Sequence, residues 1–186
     1  MTLAAAGVVT GFREIVRRYE RQVRALCTKM LGSAGAGDDV AQEVFLEIWR
    51  TCPRYEGRGE FRAFLFTAAR NRCLNASRHR SPRTVPLEQG GEVGATTEPG
   101  PDQIEALLAA ERRQQMDRLV SRLAPKLRDA IRLRFAAELE YREMAVILNR
   151  SEEAVRNRVF KGLRRLRDLI GVAGGERGPG NHRSWR

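Results

Sequence analysis

The chain of 186 residues is 42% hydrophobic and 31% charged, so it can bury a core and remain soluble as one large domain or two small ones. Its 34 Lys and Arg residues and 23 Asp and Glu residues give a net charge of +11, which favours an anionic partner, either nucleic acid or an acidic membrane surface. No apolar run approaches the roughly 18 residues that span a bilayer, so we expect no membrane insertion. The N-terminal stretch has no basic side chain ahead of its short apolar run and makes a poor signal peptide, so we expect a cytoplasmic protein.

Cysteine and histidine usage argues against metal and catalytic chemistry. Cys27, Cys52 and Cys73 are 25 and 21 residues apart and form no CxxC pair, which is typical of reduced core thiols rather than of a disulfide framework or a zinc site. His79 and His182 do not have the spacing of a zinc site or of a catalytic dyad. We therefore predict no metal, no cofactor and no catalytic residue.

Charge and composition divide the chain into two modules. Residues 12–80 have a net charge of +6, residues 81–111 of −5 and residues 112–170 of +8. Four prolines and four glycines fall between positions 81 and 101, and such a segment buries too little apolar surface to offset its ordering entropy. We predict two small all-α domains at 12–80 and 102–170, a flexible linker at 81–101 and a disordered, basic, Gly-rich tail at 171–186.

The first domain begins with an amphipathic helix. Apolar side chains recur at helical steps over residues 12–31, with arginines between them. The string GSAGAG at 32–37 is expected to end this helix and form a turn. Asp38 or Asp39 is then expected to cap a second helix, because a carboxylate suits the positive end of the helix dipole.

The second helix, which runs to about Arg50, has an acidic outer face opposite a buried stripe from Val40 to Trp49. Four acidic residues and no basic residue lie between positions 38 and 47. In a chain of net charge +11, an acidic face is unexpected on a surface that binds DNA, so it indicates a contact with another protein. The alternative is that the face is simply solvated. This acidic face is formed by Asp39, Gln42, Glu43, Leu46 and Glu47.

A loop and the end of a third helix have the chemistry of a single-stranded DNA site. Proline and glycines keep residues 52–60 out of the helices, and the helix begins near Phe61. Its end, residues 70–80, has four arginines and no acid. Arginines suit phosphates, and rings and guanidinium planes stack on bases, although an Arg-rich helix end can also be a generic cation at the dipole. The candidate residues are Arg54, Tyr55, Arg58, Arg70, Asn71, Asn75 and Arg78.

The second domain ends in a predicted helix-turn-helix. Asp102 is expected to open a long helix and Pro125 a further one. A short helix then covers residues 141–148, a turn follows at Asn149, and Ser151 is a natural N-cap for the last helix. This arrangement is typical of a module that places its second helix in the major groove.

The last helix has an inner apolar stripe and an outer basic face. We expect the stripe to be Val155, Val159, Leu163, Leu166 and Ile170, while the recognition face comprises Glu153, Arg156, Asn157, Phe160, Lys161 and Arg164. Seven basic and two acidic residues lie between 150 and 167. The alternative is an Arg-rich solvated helix in an ordinary bundle. We predict that Glu153, Arg156 and Asn157 contact bases. The DNA backbone is expected to be contacted by Arg158, Lys161, Arg164 and Arg165. Ser151, at the start of the helix, is included in the same DNA-binding surface.

Three strings in this order resemble a known family, the extracytoplasmic-function (ECF) group of bacterial RNA polymerase sigma factors, within the sigma-70 family. DDVAQEVFLEIW at 38–49 is similar to the family's polymerase-binding stretch, and FRAFLFTAARN at 61–71 to its promoter-melting stretch. The segment from LAPKLRDAIRLRF to KGLRRLRDL, at 123–169, resembles region 4.

The resemblance implies a division of tasks between the domains. Asp39, Gln42, Glu43 and Leu46 would contact the clamp of the largest polymerase subunit. The loop 52–60 and helix 61–80 would melt the downstream promoter element and hold a flipped base. The last helix would read the upstream element as duplex. Such factors are commonly silenced by an anti-sigma factor, which the resemblance adds as a further partner.

Energetics support a specificity subunit independently of the resemblance. Opening about a dozen base pairs costs on the order of 15 kcal/mol, whereas stacking one captured base returns about 1–3 kcal/mol. The sequence has no GxxxxGK[ST] motif for nucleotide hydrolysis. A chain of this kind cannot melt a promoter alone, so a large partner that wraps DNA must supply the remaining free energy.

Two other classes of protein remain as alternatives. A helix-turn-helix repressor or activator with a dimerisation or sensor domain explains the second module equally well, but it leaves the basic end of the third helix unexplained. A nuclease or recombinase could hold a divalent metal through Asp38, Asp39 and Glu43. These acids share one helix and have no convergent partner elsewhere in the sequence, which disfavours the enzyme.

Overall fold

The computed structural model describes residues 9–51, 61–79 and 101–175, and these ranges contain seven α-helices and no strand. The all-α class predicted from the sequence is confirmed. None of these helices combines the length and the apolar character that a bilayer crossing requires. The helices are α1 (Val9–Leu31), α2 (Ala34–Thr51), α3 (Phe61–His79), α4 (Pro101–Ser121), α5 (Pro125–Phe135), α6 (Tyr141–Leu148) and α7 (Glu152–Gly175).

The first domain is a three-helix unit in which α1, α2 and α3 pack against one another. Cys27 and Cys73 are free and fully buried in it, as small core side chains, whereas Cys52 lies outside the described residues. Trp49 packs edge-on against Phe12, with ring centroids 4.8 Å apart. The largest fully buried side chains of this core are Val23, Leu26, Val44, Ile48, Leu65 and Phe66.

The predicted turn at 32–37 is only partly correct. Gly32 ends α1 with a left-handed φ of 73°, as expected. However, α2 begins at Ala34, so Asp38 and Asp39 both lie inside the helix and neither of them caps it. Gly37 is helical because α1 and α2 cross there: a Cβ on Gly37 would lie 2.7 Å from Thr28 Cα. Gly37 is therefore needed for a close helix crossing. From the local sequence, a glycine of this kind cannot be distinguished from a glycine in a turn.

We expect Gly37→Ala to lower the free energy of unfolding by about 1–3 kcal/mol, the usual cost of overpacking, because the clash is with the backbone of Thr28 and no flexible side chain can yield. Gly35→Ala is the matched control, since Gly35 lies in the same helix with nothing within 4 Å of its added Cβ. That control should gain less than about 1 kcal/mol, the helix-propensity difference in a helix interior, because Gly35 is the second residue of α2. Denaturant unfolding of both variants measures the difference, and equal shifts would contradict the crossing argument.

In the second domain, α7 packs on α5 and α6, and the predicted inner stripe of α7 is wrong in its second half. Val155, Val159 and Leu166 are buried as expected, but Leu163 is 43% and Ile170 47% exposed. Their places are taken by Gly162 and Leu169, which are buried. A Cβ on Gly162 would lie 2.8 Å from Ile131 Cγ1, so the missing side chain lets α5 approach and sets the rotation of α7.

The helix α7 also continues beyond the predicted domain boundary at 170. It extends to Gly175 and passes through Gly171, since an interior glycine weakens a helix without forbidding it. The remainder of the predicted tail, residues 176–186, and the linker residues 81–100 lie outside the described residues.

The two domains pack against each other through α3 with α6 and through α1 with α5. Polar and charged pairs cross this boundary. Arg62 reaches Glu143 Oε2 at 3.1 Å, and Arg70 reaches Asp129 at 2.8 Å. The other pairs are Arg21 with Glu138, Gln22 with Glu138 and Lys29 with Asp117.

Candidate nucleic-acid and protein interfaces

Local hydrogen bonds fix the helix-turn-helix formed by α6, the turn and α7. Glu143 accepts a hydrogen bond from the backbone N–H of Glu140 at 2.7 Å, which closes a capping box at the start of α6. Asn149 ends α6 in the left-handed conformation, with φ of 48°. The Ser151 hydroxyl accepts a hydrogen bond from the N–H of Ala154 at 3.2 Å. The turn and the cap predicted from the sequence are therefore confirmed.

The recognition face of α7 is exposed to solvent along its whole length. All six of its residues are exposed, and even the apolar Phe160 is 66% exposed. Arg158 differs from the other predicted contact residues in being half-buried. The structure leaves the following predicted residues exposed: Ser151, Glu153, Arg156, Asn157, Lys161, Arg164 and Arg165.

Two contacts orient Arg156 at the N-terminal end of this face. Its guanidinium donates to Glu152 at 2.8 Å and lies 5.1 Å from the centroid of the Tyr141 ring. Tyr141 thereby joins α6 to the recognition helix, and a second guanidinium, that of Arg134, lies 5.4 Å from the same ring. Sequence analysis missed the role of Tyr141, because the pairing depends on how α6 sits against α7. The one available signal was an aromatic residue at the first position of α6.

The acidic face of α2 lies on the outside of the first domain. Asp39, Gln42 and Glu43 are exposed, and Leu46 is 55% exposed. Leu46 is a single exposed apolar side chain among polar ones, which is ordinary at a protein surface and leaves the face open to solvent. The four predicted polymerase-binding residues thus share one open surface.

Neighbouring arginines brace this face from the flanks. Arg72 of α3 donates to Glu47 at 2.7 Å and to Glu43 at 3.1 Å. The hydrogen bonds from Arg24 of α1, at 2.8 Å, hold the pKa of the Asp38 carboxyl below its ordinary value. Because these acids are already paired with arginines, the arrangement does not present a set of free carboxylates for a metal ion. In the described ranges, no group of three or more His, Cys, Asp and Glu side chains could hold one.

The predicted strand-binding residues of α3 separate into two faces. Asn71, Asn75 and Arg78 are exposed at positions i, i+4 and i+7, so they form one surface strip. Arg70 is not part of this strip, because its side chain is only 22% exposed and is paired with Asp129 of α5. The three loop residues Arg54, Tyr55 and Arg58 lie outside the described residues.

A largely apolar groove of about 970 Å³ lies between α4, α5 and α7 and reaches the end of α1. Its lining includes the residues displaced from the predicted stripe, Leu163 and Ile170, together with Met116 of α4 and Phe135 of α5. Sequence analysis assigned the α7 pair to the core, so the groove was missed.

A three-helix unit joined to a helix-turn-helix with an exposed basic face defines a class of two-domain helical proteins, and comparisons with known proteins identify the family. The family model of sigma-70 region 2 matches residues 15–83, and that of sigma-70 region 4 matches residues 113–166. The ECF RNA polymerase sigma factor SigD of Mycobacterium tuberculosis is 32% identical over 177 residues, which cover 92% of this chain and 82% of SigD. The chain therefore belongs to the ECF RNA polymerase sigma factors, DNA-binding proteins of transcription initiation.

Solved structures share the fold. The structure of CnrH in complex with the cytosolic domain of CnrY superposes with a TM-score of 0.71 at 20% identity, covering 92% of this chain and 94% of CnrH. The sigma factor RpoE from Bartonella quintana, solved with the anti-sigma factor NepR, gives a TM-score of 0.65 at 21% identity over 88% of this chain and 99% of RpoE. The family resemblance seen in the sequence is confirmed by the family models and by the similarity to SigD, and the solved structures add that the fold is shared.

Proposed function

We propose that this chain binds core RNA polymerase and directs it to specific promoters, reading an upstream element as duplex and melting a downstream element. The observation that carries the proposal is the exposed recognition face of α7, which is held at its N-terminal end by the Ser151 cap and by the Arg156–Tyr141 contact. A basic helix that follows a tight turn and leaves its outer face open has the shape that fits a major groove.

In this proposal, the residues of α7 divide into readers and anchors. Glu153, Arg156 and Asn157 meet base edges, since they lie in the first turns of the helix, where Arg suits guanine and Asn suits adenine. The later basic side chains meet phosphates and set the register of the helix on the duplex. The anchors are Arg158, Lys161, Arg164 and Arg165.

The first domain has the two remaining tasks. Asp39, Gln42, Glu43 and Leu46 dock on the clamp of the largest polymerase subunit, where three polar groups surround one exposed apolar side chain. Asn71, Asn75 and Arg78, with the loop 52–60, receive the unpaired downstream strand. The chain needs no catalytic site for this work, because the polymerase supplies the chemistry and most of the free energy of melting.

An anti-sigma factor is a further proposed partner. RpoE, which shares the fold, was solved with the anti-sigma factor NepR. The groove between α4, α5 and α7, with its exposed Leu163 and Ile170, offers apolar surface of the kind that a partner helix covers.

Run-off transcription with core polymerase and a promoter library tests the proposal. We expect transcripts only when the chain is added, from a subset of templates that share an upstream and a downstream element. Core polymerase without the chain is the control. Specific binding to closed duplex, with no transcript in the presence of polymerase, would instead favour the repressor or activator.

Affinity for duplex DNA should fall steeply with salt. Four backbone anchors predict a slope of about −3 to −4 in a plot of log K against log salt concentration, since each phosphate contact contributes about −0.9. Lys161→Ala should reduce the slope by about one and weaken binding equally on all sequences. Titration of the full chain at several salt concentrations measures both values, and a flat response would show that the basic face does not meet phosphate.

A further inference from the structure

We infer that the groove between α4, α5 and α7 binds a free long-chain carboxylate, with the carboxylate group at Arg132 and the alkyl chain along the apolar wall. The inference does not depend on the proposed function, although this ligand and the proposed partner helix would share one groove. Its basis is the combination, in one cavity, of converging apolar side chains, a surplus of cations and one guanidinium that lacks an acceptor.

The wall of the groove is an apolar patch to which three helices contribute. Four large apolar side chains that are between 43% and 57% exposed meet there, and buried apolar residues complete the wall. Contiguous exposed apolar surface with a polar rim marks a binding site, whereas single exposed side chains are ordinary. The cavity, of about 970 Å³, has the size that encloses a small organic ligand. The exposed members are Met116, Phe135, Leu163 and Ile170, and the buried ones include Val120 and Ile131.

The charged lining of the groove is strongly unbalanced. It contains five cationic side chains and one carboxylate, that of Asp117, so its net charge is +4. Asp117 is paired with Lys29, which leaves the four arginines in excess. A cleft lined by one sign of charge attracts a ligand of the opposite sign, here an anion. The five cations are Lys29, Arg113, Arg118, Arg132 and Arg167.

Arg132 differs from the other cations of the groove. Its side chain is half-buried, and within the described ranges it has neither a hydrogen-bond acceptor nor an ion pair. Burial, with a smaller contribution from the neighbouring Arg128, holds the pKa of Arg132 below its ordinary value, so its charge is poorly solvated. The carboxylates that act on it, Asp117 and Asp129, are each paired with another cation. Because a guanidinium stays charged at neutral pH, a bound anion would supply the missing acceptor.

The groove favours a ligand with one negative charge and one long alkyl chain. A planar carboxylate accepts two parallel hydrogen bonds from a guanidinium. Its single charge matches one unpaired cation and is less costly to remove from water than the double charge of a phosphate monoester. Three turns of a helix, about 10 Å across and about 16 Å long, occupy roughly 1,300 Å³ and would enter the groove only in part. A single alkyl chain is thin enough to lie inside it.

Isothermal titration calorimetry of the full chain with decanoate, below the concentration at which decanoate forms micelles, tests the inference. We expect saturable binding of one molecule per chain. Decanol has the chain without the charge and acetate has the charge without the chain, so each should bind at least about tenfold more weakly. Lengthening the ligand from octanoate to decanoate should raise the affinity about fourfold for each added methylene group, because each one buries further apolar surface.

Two variants with matched controls locate the site. Arg132→Gln removes the unpaired cation and should weaken decanoate binding at least about tenfold, whereas Arg122→Gln makes the same change on an exposed side chain outside the groove and should have no effect. Leu163→Gln removes part of the apolar wall and should also weaken binding. Its control, Leu107→Gln, changes an exposed leucine of α4 outside the groove. Thermal unfolding checks that every variant is folded, and Leu163 is exposed enough for its variant to test the site if Arg132→Gln is unstable.

Three results would overturn the inference. The first is the absence of saturable decanoate binding, which would leave the groove to a partner helix. The second is equal affinity for decanoate and decanol, because the carboxylate would then go unrecognised. The third is an affinity for decanoate that neither groove variant lowers relative to its control, since the ligand would then bind elsewhere. The proposed function has a separate readout, the transcripts made with core polymerase, so either conclusion can fail without the other.

Discussion

Replacing Asp39 and Glu43 with lysine in the full chain is expected to weaken assembly with core polymerase by at least about a hundredfold. Both side chains are exposed on α2 beside Leu46, so the changes replace attraction with repulsion without disturbing the core. Close charge pairs across an interface are worth about 1.5–7 kcal/mol. A loss of about 3 kcal/mol, or about a hundredfold in Kd, is a conservative expectation.

The same double variant should still bind duplex DNA, because the recognition face lies on the other domain. The matched control reverses Glu14 and Glu20 of α1 to lysine, which makes the same change in net charge on exposed acids outside the acidic face. Arg72 retains Glu47 as a partner at 2.7 Å when Glu43 is replaced, so α2 and α3 remain joined. Co-purification with core polymerase measures assembly. If the Asp39, Glu43 variant assembled as well as the control, the acidic face would not be the dock.

Arg156→Ala should cost about 1–3 kcal/mol on the preferred upstream element and remove discrimination at one base pair. The wild-type guanidinium is held in advance by Glu152 at 2.8 Å and by the ring of Tyr141, so little side-chain freedom is lost when it meets a base. Binding to a set of duplexes that differ one position at a time measures the change.

Lys161→Ala provides the contrast for this experiment. Lys161 lies further along the same exposed face, where a phosphate contact should weaken all duplexes alike. The two variants thus separate base reading from backbone binding on one helix. A uniform loss for Arg156→Ala, with every base preference retained, would place Arg156 among the backbone contacts instead.

The sequence was most informative where structure is determined by a few neighbouring residues. The helix over 141–148, the left-handed Asn149 and the Ser151 cap follow from spacing, turn preference and hydrogen bonding within one turn of chain. The outward direction of the recognition face then follows from helical periodicity. These features place the candidate DNA site, so its location is predictable without tertiary information.

Errors arose where two distant segments meet. Gly37 was assigned to a turn. A glycine is needed there because Thr28 of α1 passes close by, and Thr28 lies nine positions away in another helix. Gly162 likewise fixes the rotation of α7 through Ile131 of α5, which reassigns Leu163 from core to groove. A glycine within a helical pattern has no side chain, so periodicity could not indicate on which face it lies.

The pairing of Arg70 with Asp129 was equally beyond the sequence. An arginine near the basic end of a helix is as plausible on DNA as on a carboxylate, and its partner lies 59 positions away in the second domain. Only the packing of α3 against the second domain brings the two together. The predicted strand-binding residues of α3 therefore divide into an exposed strip and one arginine, Arg70, that is paired with the second domain.

The length of α7 has a mechanical consequence. Its 24 residues form one unbroken helix of about 36 Å, whose first turns hold the side chains that we propose to read bases and whose later turns line the groove beside α4 and α5. The turns proposed to read DNA and the turns that line the groove therefore belong to one helix, and the helix itself fixes the distance and the rotation between them.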